Sequence, residues 1–345
     1  MAAKKRKVVV IISSLAIILT ILASIIFVRV HDYFQNPVFK PVLADPSIIK
    51  ASNGYFYAYG TEDKWDDNKG LKYIPIVRSK NMVDWKYIGD AFAKESRPTW
   101  KDGGLWAPDV SYFKSKYYMY YALSVWGDSS PGIGVAVSDS PEGPFTDHGK
   151  LFTSNEIGVE NSIDPMLFVD KGIPYLFWGS FHGIYGVELS KDRLTIKGKP
   201  FQIAGNDFEA PYIYKHNSYY YLFDSNGSCC EGSKSTYNVE VGRSKSLKGP
   251  YKDKAGNELL YSRGTIILLG RENSKFVGPG HNAVIKDGNG TDWMVYHAYE
   301  KEKPWMKSGA PRRVLMIDPI IWKNGWPSIN NMEPGEEKQR VPKVN

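Results

Sequence analysis

Cysteine is nearly missing from this 345-residue chain: there are two, and they are adjacent, Cys229 and Cys230. That excludes a disulfide framework and any CxxC metal site. It leaves a vicinal disulfide or a buried thiol pair, either of which constrains its loop. Amphipathic helical periodicity is almost missing too. Beyond residue 30 the chain runs as short β-branched and aromatic stretches broken by Gly, Asn-Gly, Pro and Asp, so the reading is all-β. Net charge is the third absence. Residues 1–30 hold five basic residues (Lys4, Lys5, Arg6, Lys7, Arg29) and no acid, so the overall +7 becomes +2 beyond them, 39 basic against 37 acidic residues. The basic pI belongs to that segment and argues for no nucleic-acid partner; a near-neutral body suits a neutral substrate.

The one long apolar run is residues 8–28, which carry no charge. As a helix they span roughly 30 Å, a bilayer's hydrocarbon thickness. The basic residues before the run keep the N-terminus in the cytoplasm and send the rest across. Residues 1–30 are read as a signal anchor, with a signal peptide cleaved after Ala23 as the alternative; the run continues five residues past Ala23 without a small-x-small site. In both cases residues 31–345 are exported, membrane-anchored or secreted.

Those residues contain an internal repeat. Five segments share a polar residue, a short apolar strand, a turn and an aromatic strand: "ADPSIIKASNGYFYAYGT", "APDVSYFKSKYYMYYALS", "IDPMLFVDKGIPYLFWGS", "EAPYIYKHNSYYYLFDS" and "HNAVIKDGNGTDWMVYHAY". Third strands follow in "IPIVRSK", "GIGVAVSDS", "YGVELS" and "YNVEVGRS", and fourth strands in "WKYIGDAF", "FTDHGKLF", "LTIKGKPFQI" and "YKDKAGNELL". Four antiparallel strands repeated five times predict a five-bladed β-propeller, which a two-sheet sandwich does not match. A propeller's inner strands converge on its axis, so Asp45, Asp109, Asp164, Glu209 and His281 are expected in one funnel. A lone Asp is better read as a turn residue. Four carboxylates and a histidine together would repel and lose solvation for no structural benefit.

Carboxylates of split pKa beside aromatic rings suit glycoside hydrolysis: one gives a proton to the leaving oxygen, another activates water across the ring, a third tunes the acid. Trp106, Phe181, Trp178 and Tyr212 lie close to the leaders and are candidates to stack on sugar faces, with blade core the competing role for Trp178.

The chain resembles glycoside hydrolase family 43, most closely its arabinan endo-1,5-α-L-arabinosidases. The resemblance covers residues 36–329 and rests on "LADPS" with Asp45, "LWAPDV" with Trp106 and Asp109, "NSIDPM" with Asn161 and Asp164, "WGSFHGI", "FEAPYI" with Glu209, "CCEGSKSTYNVEVGRS" and "GPGHNAV" with His281. It implies that Asp45 is the general base, Glu209 the general acid, and Asp164 the residue that orients Glu209 and raises its pKa, in an inverting reaction. It implies substrate contacts at Trp106, Asp109, Asn161, Ser180 and Phe181. His281 would help hold one calcium or similar ion near the axis through water. The expected partner is a plant cell-wall arabinan or its oligosaccharides, acted on by a monomer. Ala44 departs from the family, where many members carry histidine. An exo-acting arabinofuranosidase or β-xylosidase shares the trio; a non-catalytic sugar-binding propeller would be expected to lose one of the three.

Overall fold

The computed structural model describes residues 32–344. The expected anchor or signal helix at residues 8–28 lies outside them. Among the described residues no helix is long and apolar enough to cross a membrane, and the single α-helix is the four-residue Ser154–Ile157.

Five antiparallel sheets follow one another in chain order, each ordered from inner to outer strand, and form the expected five-bladed propeller. Blade 1 is Ser47–Lys50, Phe56–Tyr59, Pro75–Ser79 and Lys86–Asp90; blade 2 is Gly104–Phe113, Lys116–Ser124, Gly132–Ser138 and Thr146–Thr153. Blade 3 is Met166–Asp170, Ile173–Trp178, Ile184–Leu189 and Ile196–Ala204. Blade 4 is Glu209–His216, Tyr219–Asn226, Asn238–Ser244 and Thr265–Leu269; blade 5 is Phe276–Lys286, Asp292–Glu300 and Arg313–Pro319.

Side-chain alternation along each strand explains why the aromatic strands are buried on both faces. Tyr57 and Tyr59 enter a core between blades 1 and 2, while Phe56 and Ala58 enter the one between blades 5 and 1. Tyr118 and Tyr120 likewise face blade 3, where they meet Leu176 and Trp178, and Met119 and Tyr121 face blade 1. Every blade interface has such a core.

Two strand expectations need correction. The fourth strand of blade 4 is Thr265–Leu269, not "YKDKAGNELL". That stretch turns on itself, with Asp253 N–H bonded to Asn257 O (2.9 Å), because Asp-Lys-Ala-Gly-Asn is turn chemistry. Blade 5 has three strands, and the N-terminal segment covers its open edge. Val38 N–H donates to Leu315 O (2.9 Å), Leu315 N–H to Phe39 O (3.2 Å) and Leu43 N–H to Arg313 O (2.9 Å). The Asn36 carboxamide pairs with both backbone groups of Ile317. This closes the ring, hides an edge that would otherwise recruit other strands, and delivers the chain to Asp45.

Each inner strand, just before its start or by its midpoint, has a residue with a left-handed backbone: Asp45 (φ 52°), Ala107 (47°), Asp164 (59°), Ala210 (54°) and His281 (48°). Proline follows in the first four, and the ladder slips in register across this point in blades 2, 4 and 5. The repeated feature is therefore a bulge that ends strand pairing at the axis. It shifts the expected alignment: Asp45, Asp164 and His281 are equivalent, Glu209 stands one residue early, and Asp109 two residues late.

Candidate active site

The bulges place Asp45, Asp164, Glu209 and His281 around one buried centre, and each neighbour sets a protonation state. Asp45 has a donor on each carboxylate oxygen. Arg313 Nη1 reaches Oδ1 at 2.6 Å, and the Thr61 hydroxyl donates to Oδ2 at 2.5 Å. His281 Nδ1 and His297 Nδ1 lie 3.4 and 3.3 Å from Oδ1. Burial alone would raise this carboxyl, but the Arg313 guanidinium and the surrounding imidazoles reverse it and hold Asp45 well below the usual range. It is an ionised carboxylate at neutral pH, as a base requires.

The opposite side has no cation of its own. Asp164 and Glu209 are both buried and coupled, and burial pushes both up; the Glu209 charge adds to the rise at Asp164, while at Glu209 the hydrogen bonds from Tyr237 and Ser180 oppose it and the Asp45 charge adds to it. The pair retains a proton above the ordinary carboxylate range. Glu209 Oε2 accepts a hydrogen bond from the Ser180 hydroxyl at 2.7 Å, and Tyr237 also bonds its carboxyl. Asp164 accepts from the backbone of Ala210, the residue after Glu209.

Two further groups tie the sides together. The Tyr237 ring lies parallel to His297, centroids 5.8 Å apart. Gly280 permits this, since a Cβ there would stand 2.1 Å from the Tyr237 ring. His297 is pushed down to about 4 by burial, and its neutral Nδ1 accepts the Asp45 N–H at 3.1 Å. The loop before Tyr237 carries the bonded pair Cys229–Cys230, and Ser235 Oγ fastens it to Ser228 O at 2.6 Å.

Not every expected contact faces the centre. Asp109 does not join the trio: its Oδ2 accepts the Leu167 N–H of blade 3 (2.7 Å), and Ser47 bonds it from blade 1. Burial pushes it up to about 7, and it works as a clamp between blades. Asn161 holds the carbonyl of Ser180 (3.0 Å), so this pair positions Glu209. Trp178 is wholly buried core and Tyr212 bonds Val284 O across a blade interface, so neither is a sugar platform. Phe181 is exposed, and Trp106 meets Trp126, which is 80% exposed, edge to face at 6.1 Å.

Arg313, His297, Thr61, Tyr237 and Trp126 escaped sequence reasoning. Tyr237 and His297 sit in stretches already singled out, "SKSTY" and "MVYHAY". Arg313 opens the third strand of blade 5, for which the repeat pattern gives no counterpart. A pairing of that strand with the inner one would have pointed to it.

The residues present do not form a direct cage for a hard cation. His297 accepts at Nδ1, so its Nε2 bears hydrogen and cannot ligate, and His281 turns its Nδ1 toward Asp45. Among the described residues no group of three His, Cys, Asp or Glu is arranged to hold a metal ion directly. No chemical step is assigned to an ion.

Residues 34–327 match the model of Glycosyl hydrolases family 43. The chain belongs to that family. It is 36% identical to the extracellular endo-α-(1→5)-L-arabinanase 1 of Bacillus subtilis, over 83% of this chain and 87% of that protein. It is 35% identical to an extracellular exo-α-(1→5)-L-arabinofuranosidase of Cellvibrio japonicus, over 75% and 81%. Its fold superimposes on the Cellvibrio cellulosa α-L-arabinanase complexed with arabinohexaose with a TM-score of 0.73 and 30% identity, covering 85% of this chain and 96% of that one. As a family 43 member, this chain is a glycoside hydrolase.

Proposed function

We propose that this family 43 enzyme hydrolyses α-1,5-linked L-arabinofuranosyl bonds in arabinan and its oligosaccharides, with inversion. One observation carries the reading: an ionised Asp45 and a proton-retaining Asp164–Glu209 pair share one buried centre. Asp45 takes a proton from water as that water attacks the anomeric carbon. Glu209 gives its proton to the departing oxygen, and Asp164 holds Glu209 in its protonated form. Inversion requires room for the water, so the Asp45 and Glu209 carboxyls are expected roughly 6.5–9.5 Å apart. Digestion of linear and branched arabinan, xylan and aryl glycosides, with product sizes and first-formed anomer resolved by proton NMR, tests this. Arabinan left intact, or a retained anomer, overturns it. The exo-acting relative supports a second reading, release of units from chain ends, which the same product sizes separate.

The relatives' extracellular names support export of this chain, and the apolar run at residues 8–28 supports a membrane anchor. Fractionation of the host with N-terminal sequencing tests both: a soluble protein beginning near Ser24 overturns the anchor. We read the enzyme as a monomer, which light scattering checks. An axial ion would be held by His281 through water. Chelator should then lower the melting temperature of the wild type and leave His281→Ala unmoved; no chelator effect removes the ion.

A further inference from the structure

Between the loops of blades 5 and 1 lies a cavity of about 450 Å³. Asp66, Glu302, Lys303, Trp305, Lys307 and Arg312 line it. It is joined to the site without being part of it. Arg312 precedes Arg313, whose guanidinium holds Asp45. Met306 packs into a small apolar cluster with Val42, Trp65 and Ala44, the residue before the base. The loop that lines the cavity is thus packed against the residue next to Asp45.

Two features of its lining call for a ligand. Trp305 is 48% exposed although it is anchored on one side. Gly232, just past the vicinal disulfide, lies so close that a Cβ there would stand 2.7 Å from the indole. The ring is therefore braced by the loop that carries Tyr237, and the rest of it is left open. The charged groups are the second feature. Arg312 is tied to Glu300 and to Lys303 O, and Asp66 accepts the backbone N–H of Lys307. The ammoniums of Lys303 and Lys307 and the carboxylate of Glu302 take part in no ion pair among the described residues. A braced aromatic face with free donors and a free acceptor of both signs suits a neutral polyhydroxylated ring. It suits neither a bare anion nor a bare cation.

We propose that this cavity is a remote sugar subsite. It would hold a neutral unit of the same saccharide chain, distant from the bond being cleaved, with Trp305 as its platform and Lys303, Lys307 and Glu302 as hydroxyl partners. Binding energy gathered there favours long chains over short ones. The inference rests on arabinan being the substrate.

The test compares wild type, Trp305→Ala and Trp305→Phe on arabinotriose, arabinohexaose and linear arabinan. The ratio of kcat/KM for hexaose to that for triose should fall ~10-fold in Trp305→Ala, mainly through KM, and recover in Trp305→Phe. Calorimetric titration of Glu209→Gln, with and without Trp305→Ala, by arabinohexaose should show the same ~10-fold loss in affinity. An unchanged ratio, or an equal loss at every chain length, overturns the subsite and makes Trp305 a brace for the Tyr237 loop. A wild type that leaves arabinan intact overturns the functional reading itself, an outcome visible before any variant is compared.

Discussion

Asp45 and Asp164 begin equivalent inner strands. Each has a left-handed backbone, at φ 52° and 59°, and precedes proline, and each is 8% exposed. Yet Asp45 is held ionised and Asp164 is pushed toward its protonated form. Nothing in the two Asp-Pro motifs differs enough to cause this. The cause lies one blade away in each case. Blade 5 brings Arg313 to Asp45 from its third strand, whereas blade 4 brings another carboxylate, Glu209, to Asp164. A propeller repeats its geometry around the axis; differences in the neighbouring blades turn equivalent positions into one carboxylate held ionised and one pushed toward its protonated form.

The largest test of that contrast removes its two ends. Asp45→Asn and Glu209→Gln should each cut turnover on arabinan at least ~100-fold, since one takes away the base and the other the transferable proton. Circular dichroism should show both folded.

Next is the guanidinium. Arg313→Gln leaves Asp45 buried without its cation, so burial should raise the Asp45 pKa. The acid limb of kcat/KM should move to higher pH, and activity near pH 5 should fall ~10- to 100-fold, more than at pH 8. An acid limb that stays in place would mean that Arg313 does not set the state of the base.

Asp164→Asn works in the opposite direction. Removing the carboxyl coupled to it should lower the Glu209 pKa, and the alkaline limb should move to lower pH. Opposite shifts in the two variants, read from full pH profiles, would sharpen the contrast; shifts of the same sign would break it.

The last effect concerns stability rather than turnover. His297 is neutral when folded, with its pKa pushed down to about 4 against about 6.5 for a free imidazole. A depressed histidine contributes stability above pH 6.5, and that contribution is lost as pH falls toward 4. Wild type should therefore lose about 3 kcal/mol more than His297→Asn between those limits, measured by urea unfolding.

How much of this was legible in the sequence follows from the same contrast. The blades could be read because each aromatic strand, such as "KYYMYYALS", must feed a core on both faces, and that demand is local. Asp45 and Asp164 could be brought together because they sit at the same point of a repeated unit, and Glu209 because it stands one residue from that point. Asp109 could not be separated from them by spacing: the bulge at Ala107 moves it two residues along, to where the Leu167 amide takes its carboxylate. Arg313 was not legible because its meaning comes from a partner 268 residues away. Likewise, Ser180 reads as a sugar contact until the turn at Phe181 (φ 53°) and the bridge to Glu209 show its hydroxyl bound to the acid.

The assignment of base and acid is tested most directly by changing how much the leaving group needs a proton. Wild type, Asp45→Asn and Glu209→Gln would be compared on arabinotriose and on an arabinotrioside of an acidic phenol, whose departure needs little protonation. Glu209→Gln should lose at least ~100-fold on arabinotriose and stay within roughly tenfold of wild type on the aryl substrate, while Asp45→Asn should be impaired on both. Rescue of Asp45→Asn by the good leaving group, with Glu209→Gln inactive on both, would contradict the account.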